Sequence, residues 1–294
     1  MTSSFKDYVA WVEPIIDLFM KDQQKKFSAV LDPLRQVGLV QSYLNDERQD
    51  PRPVEPRALY IIGAQTTQLS IGIYQSLSAG AVIPAAGNFR TLFELLLSAK
   101  LIQHGDREHR SDLYMDFLMI SKWNHVRKLK NAKVTIDTAV DVDKIEKDYQ
   151  AIKANYASNA TYWWSSILWS EKDARERKTY GPMSVCAFLD GAGVFTGIAN
   201  TSFAELDARW YDTFSPLTHG STMGSNAMIA SGRPSMGWQI DQNATRVAAL
   251  ALSACTKIIS ICEEGLDHPK AGWARMHLSE LRDKAVLAQR NLEA

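Results

Sequence analysis

Asn88 to His104 reads NFRTLFELLLSAKLIQH, and this stretch sets the fold class. Its apolar residues follow helical spacing, and Gly105, a residue type that commonly closes a helix, stands directly after it. Asp106 then offers a side-chain cap to a second helix, Arg107 to Lys130, in which Leu113, Phe117, Ile120 and Val126 keep the same period. Upstream, Ala58 to Ala79 is built of small, weakly polar residues. That composition suits a central buried helix, with Gly63 and Gly72 permitting close approach of a neighbouring backbone. Further out, Tyr8, Val9, Trp11, Val12, Ile15, Ile16, Phe19 and Met20 form one apolar face, with Pro14 expected to start or kink that helix. Phe27 to Tyr43 continues the pattern. Asn45 to Arg57, with three prolines and mixed charge, reads as an exposed loop. Residues 1–50 are therefore expected to be an N-terminal helical arm beside a helical domain over 58–294.

Downstream of the second helix, Val134 to Asp143 is a connector or a brief strand, and Asp143 to Ala157 is helical. Tyr162, Trp163, Trp164 and Trp169 follow as an aromatic cluster, open to two readings: a stacking platform or buried packing. Ser184 to Gly197 imitates a strand leading into a phosphate loop. The spacing of Gly191, Gly193 and Gly197 misses the dinucleotide fingerprint, so that reading is rejected. Ser202 and Glu205 have capping-box spacing, which predicts a helix from about Phe203 toward Phe214, ended or kinked by Pro216. Ala227 to Gln239 is a loop, and two C-terminal helices, Asp241 to Glu264 and Gly272 to Leu292, close the chain. The fold class expected is all-α, a multi-helix bundle.

Thirty-three basic residues balance thirty-three acidic ones in 294 residues. No overall field recruits nucleic acid or anionic membrane, so such binding requires a local patch. The most basic stretch is Lys122 to Lys133, read as a solvated helix face. Cys186, Cys255 and Cys262 form neither a paired framework nor a metal-ligand spacing, which suits reduced thiols in a cytoplasmic setting. The N-terminus lacks the basic-then-apolar order of a signal peptide. The most apolar run, Val247 to Ile261, is interrupted by Thr256 and Lys257 and read as too short to span a bilayer, so no membrane partner is expected.

Chemistry is sought where charge meets an apolar stripe. Arg90 and Glu94 are one helical turn apart, with Leu97 and Leu101 continuing the same face, so both need partners if buried. Asp112 and Asp116 repeat the spacing on the next helix, around Tyr114. Tyr211, Ser215, His219 and Ser221, within the stretch WYDTFSPLTHGSTMG from Trp210 to Gly224, add hydroxyls and an imidazole. His219 followed by Gly220 equally fits an ordinary helix end. A polar network fixing helix register remains the structural alternative to a pocket. A carboxylate metal site from Glu94, Asp112 and Asp116 is disfavoured, since neither Glu94 nor Asp116 has a His three residues on. No metal or cofactor is expected.

The order of FRTLFE (Phe89 to Glu94), YMDF (Tyr114 to Phe117), a Trp-rich connector and YDTFSPLTHGS (Tyr211 to Ser221) resembles an uncharacterised bacterial family of unknown function, domain family 5677. The resemblance covers about 58–224. It implies a helical domain in which Arg90, Glu94, Tyr211, Ser215, His219 and Ser221 match the family's polar motif residues. More remotely, the late His-containing segment is similar to HEPN helical proteins, many of which are metal-independent RNA-cleaving toxins or antiviral effectors. That likeness implies a HEPN-like core acting on RNA or a nucleotide, with Arg90, Glu94 and His219 catalytic and Tyr211, Ser215, Ser221 and Asp116 binding. The chain departs from the pattern because Arg209 lies too far before His219, so Arg90 would have to supply the cation. The alternative is a non-catalytic helical module that binds a small ligand or a protein partner. The apolar faces of the arm must be covered by the main body or by a second copy of the chain, the latter making a homodimer through helical faces.

Overall fold

A single apolar helix near the C-terminus lies at the centre of the molecule. The structure is a computed structural model describing residues 5–46, 56–137, 139–157, 161–198, 201–211, 240–266 and 268–293, with side chains described for only part of 5–46, 210–211, 240–243 and 288–293. The helices are α1 (Phe5–Asp46), α2 (Arg57–Ser78), α3 (Val82–His104), α4 (Arg107–Asn131), α5 (Val142–Ile152), α6 (Glu171–Glu176), α7 (Pro182–Gly191), α8 (Phe203–Leu206), α9 (Ile240–Gly265) and α10 (Ala271–Glu293). Among the described residues there is no strand, so the chain is all-α, and the described residues between Val134 and Asp141 are a connector ahead of the helix that begins at Val142.

The central helix is α9, which packs against α1, α2, α3 and α10. Its residues Ala244–Gly265 are long and apolar enough to cross a membrane, which corrects the shorter run expected from the sequence. The packing accounts for that apolarity: 83% of the most apolar window is buried inside the protein, as in a core helix. Val247, Leu252, Cys255, Ile258, Ile259 and Cys262 are all at or near zero exposure. Burial pushes the thiols of Cys186 and Cys255 well above their ordinary pKa, so both are packing groups rather than nucleophiles.

The buried hydroxyls of Thr66 and Ser70 in α2 are met by carbonyls of their own helix. Thr66 donates to the Ile62 carbonyl at 2.8 Å and Ser70 to that of Thr67 at 2.8 Å, which removes the cost of an unmet buried donor. A Cβ on Gly72 would stand 2.8 Å from Asn88 Nδ2, so glycine there lets α3 come close. The close neighbour is thus a side chain, not the backbone expected.

Helix α1 continues through both Pro14 and Pro33 as one helix of 42 residues. An interior proline removes one hydrogen bond, and here tertiary packing holds the second half in place. Phe27, Val30, Leu31, Leu34, Val37, Val40 and Leu44 join the common core, whereas Glu13, Asp17 and Leu18 are exposed. The end of α1 is tied to the start of α10 through His268. Its Nδ1 accepts the Lys270 backbone N–H at 3.0 Å, so the ring proton sits on Nε2 and is donated to the Leu44 carbonyl at 3.1 Å.

Other sequence signals are realised locally. Asp106 caps α4 by accepting from the His109 N–H, and Gly105 closes α3. Pro182–Gly191 is a helix rather than a strand, which agrees with the rejection of a phosphate loop there. Ser202 accepts from the Glu205 N–H at 3.1 Å, as its spacing predicts. The Glu205 carboxylate pairs with Arg209 at 2.6 Å. Asp190 at the end of α7 supplies further caps, taking the N–H groups of Phe203 and Ala204 at 2.9 Å each. After Leu206 the chain widens into a π turn, Asp207–Tyr211. The remainder of the expected helix toward Phe214, Pro216 and the 227–239 loop lie outside the described residues.

Candidate functional site

Glu94 faces a cavity between α2, α3, α4 and the aromatic connector. The cavity encloses about 430 Å³ and is lined by Ile61, Gln65, Thr91, Glu94, Leu95, Ser98, Tyr114, Met115, Phe117, Leu118, Ser121 and residues 161–164. Helical spacing brings these groups together: Thr91, Glu94, Leu95 and Ser98 share one face of α3, and Tyr114, Phe117, Leu118 and Ser121 share one face of α4.

The walls are held from behind. Trp163 and Trp164 are 4% and 1% exposed, so these two are buried packing, while Tyr162 is half-buried at the cavity and Trp169 is half-buried away from it. The Trp163 indole donates to Ser98 Oγ at 3.1 Å, and Ser98 donates to the Glu94 carbonyl at 2.9 Å. Trp164 donates to the Tyr180 carbonyl at 3.0 Å and stacks on Tyr162, with ring centres 4.7 Å apart and planes 7° from parallel. Tyr114 meets Trp163 edge-on at 5.4 Å and donates to Gln65 Oε1 at 3.2 Å. Burial raises the Tyr114 pKa to about 12, so it stays a neutral donor at physiological pH.

Arg90 lies one turn before Glu94 on α3, with 3.7 Å between guanidinium and carboxylate and both side chains about a quarter exposed (26% and 28%). Their spacing allows an ion pair, and one is present. Arg90 stands beside the cavity rather than among its lining residues. Asp116 is placed elsewhere: it is exposed on α4, and burial and the Asp112 charge raise its pKa. Both aspartates face Tyr156, whose hydroxyl donates to the Leu113 carbonyl at 2.7 Å. Ser215, His219 and Ser221, like the Tyr211 side chain, lie outside the described residues. Among the described residues no three His, Cys, Asp or Glu side chains cluster as metal ligands would.

Sequence reading passed over Gln65, Ser98 and Ser121 as lining groups. Ser98 carried a usable signal, a small hydroxyl one turn after Glu94 in an otherwise apolar run. Gln65 carried none, since its place depends on how α2 crosses α4.

Fold and cavity define the class: an α-helical bundle with one carboxylate set in an aromatic-walled cavity. A family model described as a family of unknown function (DUF5677) matches residues 61–232. The match takes in more than half of the chain, including most of α2, all of α3 and α4, and the aromatic connector. The chain belongs to that family. No curated protein and no solved structure matches it.

Proposed function

We propose that the chain binds an unpaired nucleotide, free or within RNA, with the base in the cavity beside Glu94. The observation that carries this reading is the combination of half-buried aromatic rings with the Glu94 carboxylate in one cavity. Rings offer stacking faces to any base, worth about 1–3 kcal/mol each, and a carboxylate accepts donors on the base edge. Guanine, with its ring N–H and amino group side by side, matches two carboxylate oxygens best. A volume of about 430 Å³ falls in the range of small-molecule clefts. Arg90, 3.7 Å from Glu94, adds a cation beside the cavity that would attract the charge of a phosphate. Beyond Ser121, α4 continues into exposed Lys122, Arg127, Lys128 and Lys130, a local basic surface for the RNA backbone.

In the HEPN-like form of this reading, His219 takes the proton of a ribose 2′-hydroxyl. The 2′-oxygen bonds to phosphorus, the bond to the 5′-oxygen breaks, and the proton passes to that leaving oxygen. Arg90 stabilises the charge that develops on phosphate, with Glu94 orienting it. The second reading, a binding module without catalysis, is favoured by Glu94 being the only titratable carboxylate among the described lining residues, with Tyr114 held neutral.

Titrating short single-stranded RNA while following tryptophan fluorescence tests binding, and a cleavage assay with His219→Ala and Arg90→Ala separates the two forms. Quenching with loss of cleavage in both variants supports the catalytic form, and quenching without cleavage in the wild type supports the module. No quenching by RNA or nucleotide removes both.

A further inference from the structure

Arg110 folds back onto the end of α3. Its guanidinium lies over Gly105, where a Cβ would overlap it, and Nη1 donates to the Leu101 carbonyl at 2.5 Å. Among the described residues that is the one hydrogen bond its side chain makes, out of five N–H donors, and it forms no salt bridge there. The half-buried cation is thus held in place with most of its donors unspent. It lines a cavity of about 410 Å³ between the start of α4 and two short turns, Lys153–Asn155 and Ser165–Leu168.

The other walls are fixed by bonds of their own. Arg177 donates to the Tyr156 carbonyl at 2.8 Å and to that of Lys153, and the Tyr156 hydroxyl ties this turn to α4 at the Leu113 carbonyl. Trp169 gives its indole N–H to the Lys178 carbonyl at 2.7 Å, which leaves its ring as an apolar wall beside Leu113 and Ile167. One turn before Arg110 stands the opposite charge, Asp106, also on the cavity. One of its oxygens accepts the His109 N–H at 3.1 Å, and the cap does not use the other. Ser166 adds a hydroxyl whose oxygen is buried and has no partner among the described residues. A buried hydroxyl left unmet is a cost that a ligand would remove. His109 and Asn155, both exposed, complete the polar side.

The charges decide what fits. A phosphate would set its negative charges beside Asp106, and a simple amine would meet Arg110. A molecule with a carboxylate and an ammonium on neighbouring carbons satisfies both, the guanidinium taking the carboxylate through paired N–H bonds and Asp106 taking the ammonium. The wall of Leu113, Ile167 and Trp169 then receives an apolar side chain. We infer that this cavity, separate from the one beside Glu94, is a binding site for a free α-amino acid with a large apolar side chain, held by Arg110, Asp106 and Ser166.

The test is calorimetric titration of the full chain with L-phenylalanine, with hydrocinnamate, which lacks the ammonium, and with phenethylamine, which lacks the carboxylate. Wild type should bind L-phenylalanine saturably and each one-charge analogue at least tenfold more weakly. Arg110 also holds the end of α3, so its contact is read from the ligand side, by phenethylamine. Asp106→Asn keeps a helix-capping oxygen and is expected to fold. It should bind L-phenylalanine at least tenfold more weakly and lose the preference over hydrocinnamate, a change of selectivity that mere loosening of α4 would not produce. Ser166→Ala removes an unmet hydroxyl, so it should leave the melting midpoint unmoved while weakening L-phenylalanine severalfold. Glu94→Gln should bind L-phenylalanine as wild type does. Absence of L-phenylalanine binding, equal or tighter binding of hydrocinnamate by wild type, undiminished affinity and selectivity in Asp106→Asn, or loss of binding in Glu94→Gln overturns the inference.

Discussion

The Arg90 guanidinium stands 3.7 Å from the Glu94 carboxylate, yet only Glu94 lines the aromatic cavity. Glu94 faces the cavity and Arg90 stands beside it. At about a quarter exposure the pair itself contributes little stability, about 1 kcal/mol or less. Glu94→Gln is therefore expected to move the melting midpoint by no more than about 2 °C while weakening nucleotide binding at least tenfold. A scanning melt paired with a binding titration checks both halves.

Lys100 predicts a pH dependence with a definite sign. Burial, then the Lys257 charge, lowers its pKa from 10.5 to about 8. Below pH 8 the folded chain carries the full penalty of the buried charge. Between pH 8 and 10.5 the unfolded chain holds a proton that the folded chain has shed, so this contribution becomes more favourable as pH rises. Lys100→Met should accordingly be more stable than wild type at pH 7, by on the order of 1–3 kcal/mol, with the gap narrowing toward pH 10. Urea melts at pH 7, 8.5 and 10 measure it. Tyrosines and cysteines common to both proteins cancel in the difference.

His268 joins the end of α1 to the start of α10 through two hydrogen bonds, one buried and one partly buried. His268→Ala leaves the Leu44 carbonyl and the Lys270 N–H unmet, at a cost of about 2 kcal/mol and a lower melting midpoint. Hydrogen exchange in α1 from Phe27 onward should accelerate in that variant, and unchanged exchange would show that this tie is not what holds α1.

Much of the fold was legible because its signals are local. Period, the Gly105 stop and the Asp106 and Ser202 caps each act within four residues, and each sits where the sequence indicates. The continuity of α1 through Pro14 and Pro33 was not legible, because it depends on packing that offsets a lost hydrogen bond. Asp190 capping α8 was also hidden, since its partners lie 13 and 14 residues on. For the site, Arg90 and Glu94 were readable as charges on an apolar stripe. Asp116 followed the same spacing rule, but its helix turns it toward Tyr156 and solvent. Lys100 gave no warning, because one lysine in an apolar helix looks the same whether its tip reaches water or another ammonium.

The central claim is that Glu94 and the rings around it receive a base. Calorimetric titration of the four nucleoside 5′-monophosphates into wild type and Glu94→Gln tests it most directly. The account predicts saturable binding, tightest for the guanosine nucleotide, and at least tenfold weaker binding of that nucleotide in Glu94→Gln. Absence of binding by all four, or equal affinity in the two proteins, would contradict it.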